Sequence, residues 1–125
     1  HIIRAAQESI AYQVNDLLTA MKRDTGVALS SLSVDGGASR DSFLMQFQAD
    51  ISNCTIRRPV IRETTALGAC YLAGLATGVW SSRDELKELW RCDTLYAPSM
   101  ADEKRSRLLN GWDKAVGRSL DWAEH

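Results

Sequence analysis

The sequence predicts a helix-rich α/β domain with too little sheet for its helices. Three observations carry that expectation. Apolar residues recur at three- and four-residue spacing through most of the 125 residues. Two short β-type runs separate the first helical patterns, and one of them meets two adjacent glycines before turning straight into the next helix.

The elements follow in order. Ile3, Ile10, Val14, Leu17 and Met21 lie at helical spacing and predict a long first helix with an apolar stripe, which Gly26 ends as a C-terminal cap. Leu32 and Val34 alternate with serine as a short strand. Phe43, Leu44, Phe47 and Ile51 form the stripe of a second helix, with Ser39 as its expected cap. Cys54 to Arg58 reads as a second strand, ended by Pro59 and carrying the charged pair Arg57-Arg58 toward solvent.

A third helix from Thr64 or Thr65 to about Gly78 is apolar nearly all round, so it requires cover on most sides; Gly68, Ala69, Ala73 and Gly74 allow close approach. Ser82 and Glu85 form the capping box of a fourth helix with Leu86, Leu89 and Trp90 inward. After Pro98, Leu108, Trp112, Val116 and Leu120 define a last amphipathic helix. The predicted order is helix, strand, helix, strand, helix, helix, helix. Two short strands cannot cover so apolar a third helix, because sheets of this kind usually have about four to six strands. The missing strands are expected upstream of His1.

Composition narrows the function. The 15 basic and 16 acidic residues nearly balance, and no basic block is present to track phosphates along a strand, which argues against a nucleic-acid partner. The uncharged stretch Thr64 to Ser82 is interrupted by three glycines and ends in polar serines, so it reads as a buried helix rather than a membrane span. Cys54, Cys70 and Cys92 are odd in number and widely spaced, without a CxxC pair, and predict neither a zinc site nor a disulfide framework. Reduced thiols and a cytoplasmic location are expected. Because the chain opens with His1 and not with methionine, it is expected to begin inside a longer polypeptide.

The chemistry-bearing feature is Leu32-Ser33-Val34-Asp35-Gly36-Gly37-Ala38-Ser39. Glycines let a ligand touch the backbone, and the first amides of a helix lack intrahelical partners, so such a turn suits a nucleotide or another anion. A tight strand-to-helix connection explains the same residues without any ligand.

Three longer segments are more specific: HIIRAAQESIAYQ at 1 to 13, VDGGASRDSFLMQFQADI at 34 to 51 and ETTALGACYLAGLATGVW at 63 to 80. In this order and at these separations they resemble the C-terminal part of a glycerol kinase, and the resemblance covers essentially the whole chain. It implies an actin-like ATPase fold (ribonuclease H-like), with residues 1–125 as the C-terminal portion of the nucleotide-binding domain. It implies transfer of the γ-phosphoryl of Mg-ATP to a hydroxyl of glycerol, with ATP or ADP in a cleft between two domains, and a homo-oligomer, dimer or tetramer. Gly36, Gly37 and Ala38 would then lie with their backbone against the nucleotide, and Asp41 matches the position that usually presents asparagine to the adenine.

Two positions depart from the resemblance. An ionised Asp41 accepts hydrogen bonds but donates none, so it is expected to face the adenine end and to bind nucleotide more weakly than asparagine; an ordinary acid at a helix start is the competing reading. Gln7 replaces a usually apolar residue.

No catalytic residue or metal ligand is expected within these residues; the catalytic aspartate, the glycerol-holding groups and most of the magnesium site would lie upstream. The bland readings are favoured for the remaining candidates. Glu63 reads as a helix-start acid before it reads as catalytic, Arg57 and Arg58 as a solvated strand end before a phosphate contact, and Ser39 equally as a cap or a nucleotide donor. His1 reads as structural, and Trp80, Trp90, Trp112 and Trp122 read as anchors. Another sugar or polyol kinase such as a xylulokinase, or a non-catalytic interaction module, are the alternatives.

Overall fold

The computed structural model describes residues 1–61, 63–89 and 91–121. Trp90 and Trp122 therefore lie outside the described residues. The order is α1 (Ile2–Thr25), β1 (Ser31–Ser33), a one-turn 3₁₀ helix (Gly37–Arg40), α2 (Ser42–Ser52), β2 (Thr55–Pro59), α3 (Thr64–Thr77), α4 (Arg83–Leu89), β3 (Cys92–Tyr96) and α5 (Asp102–Ser119). Gly26 ends α1 at φ 70°, with its N–H returning to the Lys22 carbonyl, and Gly78 ends α3 at φ 78°. Both sit in the left-handed region that glycine enters without a Cβ clash.

The three strands form one sheet in the order β1-β2-β3. β1 runs parallel to β2, pairing Leu32 with Ile56, whereas β3 runs antiparallel to β2, pairing Ile56 with Tyr96 and Arg58 with Thr94. The register slips between Arg58 and Pro59, where proline has no N–H to offer the ladder. β3 corrects the predicted order, which had no strand there. Its charged Asp93 and exposed Leu95 mask the alternation, and it pairs because β2 offers an open edge.

The core is built on α2. Leu44, Met45, Phe47, Ala49 and Ile51 are buried together with Ala11 and Tyr12 of α1, Ile56 of β2 and Tyr96 of β3. Tyr12 stands edge-on to Phe47 at 5.6 Å and stacks on Trp112 of α5 at 5.1 Å. The Trp112 indole also donates to Asp16 at 2.7 Å, so this tryptophan anchors α5 to α1. Asp50, buried on α2, accepts from the amides of Ser99 at 2.7 Å and Met100 at 3.1 Å and fixes the segment leading into α5.

Expectations about the faces of α1, α4 and α5 are corrected, and the expected shortage of cover for the third helix is observed. On α1 the buried residues are Ala11 and Tyr12, while Ile3, Ile10, Leu17 and Met21 of the predicted stripe are exposed. The aromatic partners Phe47 and Trp112 select the packed face. On α3 only Gly74 is buried, and the close approach there comes from the helix's own continuation: a Cβ on Gly74 would run into the Trp80 ring. On α4 Leu89 is exposed and no residue is buried, although Ser82 Oγ does accept the Glu85 amide as the capping box requires. Val116 and Leu120 at the end of the chain are also exposed. Among the described residues no helix is long and apolar enough to cross a membrane.

Candidate functional site

The glycine turn leaves the sheet at the end of β1. The Val34 N–H donates to the Arg57 carbonyl at 3.1 Å, prolonging the parallel pairing by one residue. Gly36 then adopts φ 75° and ψ −176°, a conformation essentially confined to glycine. Gly37 is under no such demand. Its φ is ordinary, and a Cβ built on it would meet nothing within 4 Å. Open space beside a glycine that the backbone does not require is the arrangement a ligand needs in order to reach the main chain.

The turn does not run directly into α2. A single 3₁₀ turn intervenes, in which the Ser39 N–H and Oγ both donate to the Gly36 carbonyl, at 3.3 Å and 2.7 Å. Ser39 is 1% exposed. It closes the turn instead of capping α2, which corrects one of its two expected roles. The cap is Asp41: one carboxylate oxygen accepts from the amides of Phe43 at 2.9 Å and Leu44 at 3.1 Å. The orphan amides at the start of α2 are thus filled from within the chain, and a carboxylate stands where an anion would bind. The N–H groups of Gly37 and Ala38 have no acceptor among the described residues. They remain the donors on this face.

The other carboxylate oxygen of Asp41 accepts from Nε2 of Gln7 on α1. The two positions at which the sequence departs from the resemblance are therefore partners. An amide at position 7 can supply the donor that a carboxylate at 41 demands, which an apolar side chain cannot. Sequence reading singled out both residues but had no signal for their contact, because the rest of α1 and all of β1 lie between them.

Arg58 is the functional-region residue that sequence reading placed wrongly. It is not a solvated strand end: its side chain is 11% exposed and sits between the glycine turn and β3. Nη1 donates to the Ser39 carbonyl at 3.3 Å, Nη2 lies 2.9 Å from the Asp93 carboxylate and 2.9 Å from Thr94 Oγ1, and the guanidinium lies 5.5 Å from the Tyr96 ring centre. With these partners it has little left to offer a phosphate. Arg57, the neighbour on β2, is half-buried.

Glu63 stands at the N-cap of α3 without a side-chain hydrogen bond to it, so any support it gives the helix is electrostatic. His1 caps α1 only through its backbone, its carbonyl accepting from Ala5. Among the described residues no three His, Cys, Asp or Glu side chains gather into a metal-holding group. All three cysteines are unpaired as disulfides, and burial pushes the Cys54 thiol above its ordinary pKa.

Two cavities of about 250 Å³ lie elsewhere. One is between α1, α2 and α5 and includes Arg4, Glu8 and Lys104; the other is apolar, between the end of β2 and α3, and includes Val60, Leu67 and Tyr71. Neither is lined by Gly36 to Asp41. The turn forms a surface wall with bare amides, an open glycine and a carboxylate at its far end. The Asp41 charge disfavours a negatively charged group at that end.

Comparison with known proteins agrees with this architecture. Residues 1–77 match the model of the FGGY family of carbohydrate kinases, C-terminal domain. The chain is 57% identical over 124 residues to a glycerol kinase of Caldanaerobacter subterraneus and 60% identical over 124 residues to one of Clostridium botulinum, covering 99% of this chain and 25% of each relative. It thus spans about a quarter of the length of the curated relatives it matches. Among solved structures, that of Plasmodium falciparum glycerol kinase with ADP superposes with a TM-score of 0.85 at 39% identity, covering 98% of this chain and 25% of that one. A xylulose kinase from Lactobacillus acidophilus superposes with a TM-score of 0.74 over 94% of this chain and 25% of that one; at 23% identity it speaks for the shared fold alone. The helix-rich α/β architecture is that of the C-terminal domain of these kinases, the actin-like ATPase fold. With the family model matching well over half of its residues, the chain belongs to the FGGY family of carbohydrate kinases.

Proposed function

We propose that residues 1–125 form the C-terminal portion of the nucleotide-binding domain of a glycerol kinase, supplying the adenosine-side wall of its ATP cleft. The observation that carries this reading is the turn at Gly36-Gly37-Ala38, where Gly37 and Ala38 are exposed, their N–H groups have no acceptor among the described residues, and a Cβ on Gly37 would meet nothing within 4 Å. The identity of 54–60% to glycerol kinases supports glycerol as the acceptor over the xylulose reading, for which the likeness is 23%.

Phosphoryl transfer asks for a positioned acceptor hydroxyl, a carboxylate to take its proton, and a cation that neutralises charge building on the phosphates. Magnesium bound to ATP would supply that neutralisation, and the groups that hold it and glycerol belong to other parts of the enzyme. The residues of this chain bind and orient. Gly37 and Ala38 offer main-chain N–H groups to the nucleoside, Gly36 makes the bend that exposes them, and Asp41 limits how closely a negative group can approach. The near balance of charge supports a small-molecule partner and not nucleic acid. The same reading makes the whole enzyme a cytoplasmic dimer or tetramer.

The test is glycerol-dependent ATP consumption by the full-length polypeptide that carries this chain, compared with xylulose. Turnover with glycerol and little with xylulose is expected; the reverse preference would sink the reading. Asp41→Asn probes the nucleotide end separately. Asparagine caps a helix as well as aspartate does, so the fold should hold while ADP binds about two- to tenfold more tightly by calorimetry. Unchanged or weaker binding would show that Asp41 does not face the nucleotide.

A further inference from the structure

We propose that Arg58 is a positioning residue for the nucleotide turn, and that Asp93 on β3 sets its reach. This inference rests on the reading of Gly36 to Asp41 as the nucleotide wall. Among the described residues, the turn is held to the sheet by a backbone bond at Val34, and beyond the glycines by the Arg58 guanidinium on the Ser39 carbonyl at 3.3 Å. Ser39 is the residue through which such a hold is transmitted. Its N–H and Oγ both grip the Gly36 carbonyl, so its position fixes both ends of the segment that contains Gly37 and Ala38. With Ser39 1% exposed, water has little access to replace the guanidinium.

The guanidinium is itself aimed. Nε at 3.1 Å and Nη2 at 2.9 Å engage one oxygen of Asp93, Nη2 reaches Thr94 Oγ1, and the Tyr96 ring lies beneath. These contacts leave Nη1 directed at Ser39. A planar fork presents donors on separate nitrogens in fixed directions to a carboxylate and a carbonyl at once, whereas a lysine ammonium donates from a single nitrogen and lacks that span. The β2–β3 pair is thereby coupled to the amides that face the nucleotide.

The experiment uses the full-length kinase polypeptide with Arg58→Lys, Asp93→Asn and Gly37→Val. It reads ADP affinity by calorimetry, KM for ATP and for glycerol, amide exchange of the 36–41 segment, and the melting temperature. Arg58→Lys should weaken ADP about tenfold and raise KM for ATP with KM for glycerol unchanged, while exchange at 37–41 speeds up. Asp93→Asn should act in the same direction by about threefold, since it keeps the shape and removes the charge.

If both variants bind ADP and exchange like the parent while Gly37→Val weakens ADP, the role of Arg58 is refuted and the nucleotide reading stands. If Gly37→Val also leaves ADP binding unchanged, the nucleotide reading itself fails. Should Arg58→Lys not fold, Asp93→Asn decides, its side chain being 36% exposed and therefore tolerant of change. Equal losses for ATP and glycerol with a lowered melting temperature would make Arg58 merely structural and overturn the proposal.

Discussion

Helices α2 and α3 are both rich in apolar residues, yet they differ sharply in burial. α2 is covered by α1 on one side and by the sheet on the other, with Leu44, Met45, Phe47, Ala49 and Ile51 all buried. α3 is the more apolar of the two along its length, and only Gly74 is buried. Among the described residues, Trp80 folds back over Gly74 and meets Tyr71 edge-on at 5.2 Å. Apolar content states what a helix needs; the neighbouring elements decide whether it receives it. The glycine turn leads, through one 3₁₀ turn, into the well-covered helix.

The largest expected effect is on the α2 side. Phe47→Ala removes the ring that meets Tyr12 and stacks with Phe43 at 5.9 Å, and should cost about 3–5 kcal/mol in urea unfolding. A cost below about 1 kcal/mol would mean that this core is loosely packed, and the contrast with α3 would collapse.

A smaller effect is expected at alkaline pH, through Tyr12. Burial first, and then the nearby Glu8 carboxylate, raise its hydroxyl above the ordinary pKa of 10.0. A raised folded value means that folding favours the neutral phenol. The contribution is fully present below pH 10 and is lost as pH climbs through the folded value. The urea midpoint should therefore fall more steeply above pH 10 in the parent than in Tyr12→Phe, where Cys54 still titrates but the phenol does not. Parallel curves would show that the Tyr12 hydroxyl is solvated.

The smallest effect is expected on α3. Leu72 is 71% exposed, and Leu72→Ala should change the stability of this 125-residue chain by less than about 0.5 kcal/mol. A loss above about 2 kcal/mol would show that α3 is covered in solution by another surface, which would sharpen the comparison into one between internal and external cover.

Much of the local structure was legible because it depends on residues close in sequence. Gly26 and Gly78 end helices where their lack of Cβ predicts, Ser82 caps α4, and Leu32 and Ile56 lie on paired strands. What was missed depends on partners far along the chain. β3 carries a weak signal and exists through pairing with β2. The face that α1 buries is chosen by Phe47 and Trp112, 35 residues or more beyond Tyr12. Arg58 looks like a solvated charge until Asp93 and the Ser39 carbonyl are placed around it.

The sequence by itself therefore determined the helices, two of the three strand segments, the glycine turn and the family resemblance, since periodicity, backbone freedom and motif are properties of neighbouring residues. The tertiary structure alone decided which faces are buried, how the strands pair, and which distant side chains hold the turn. A hydrogen bond such as Gln7 to Asp41, or Arg58 to Ser39, exists only once the chain has brought distant segments within about 3 Å.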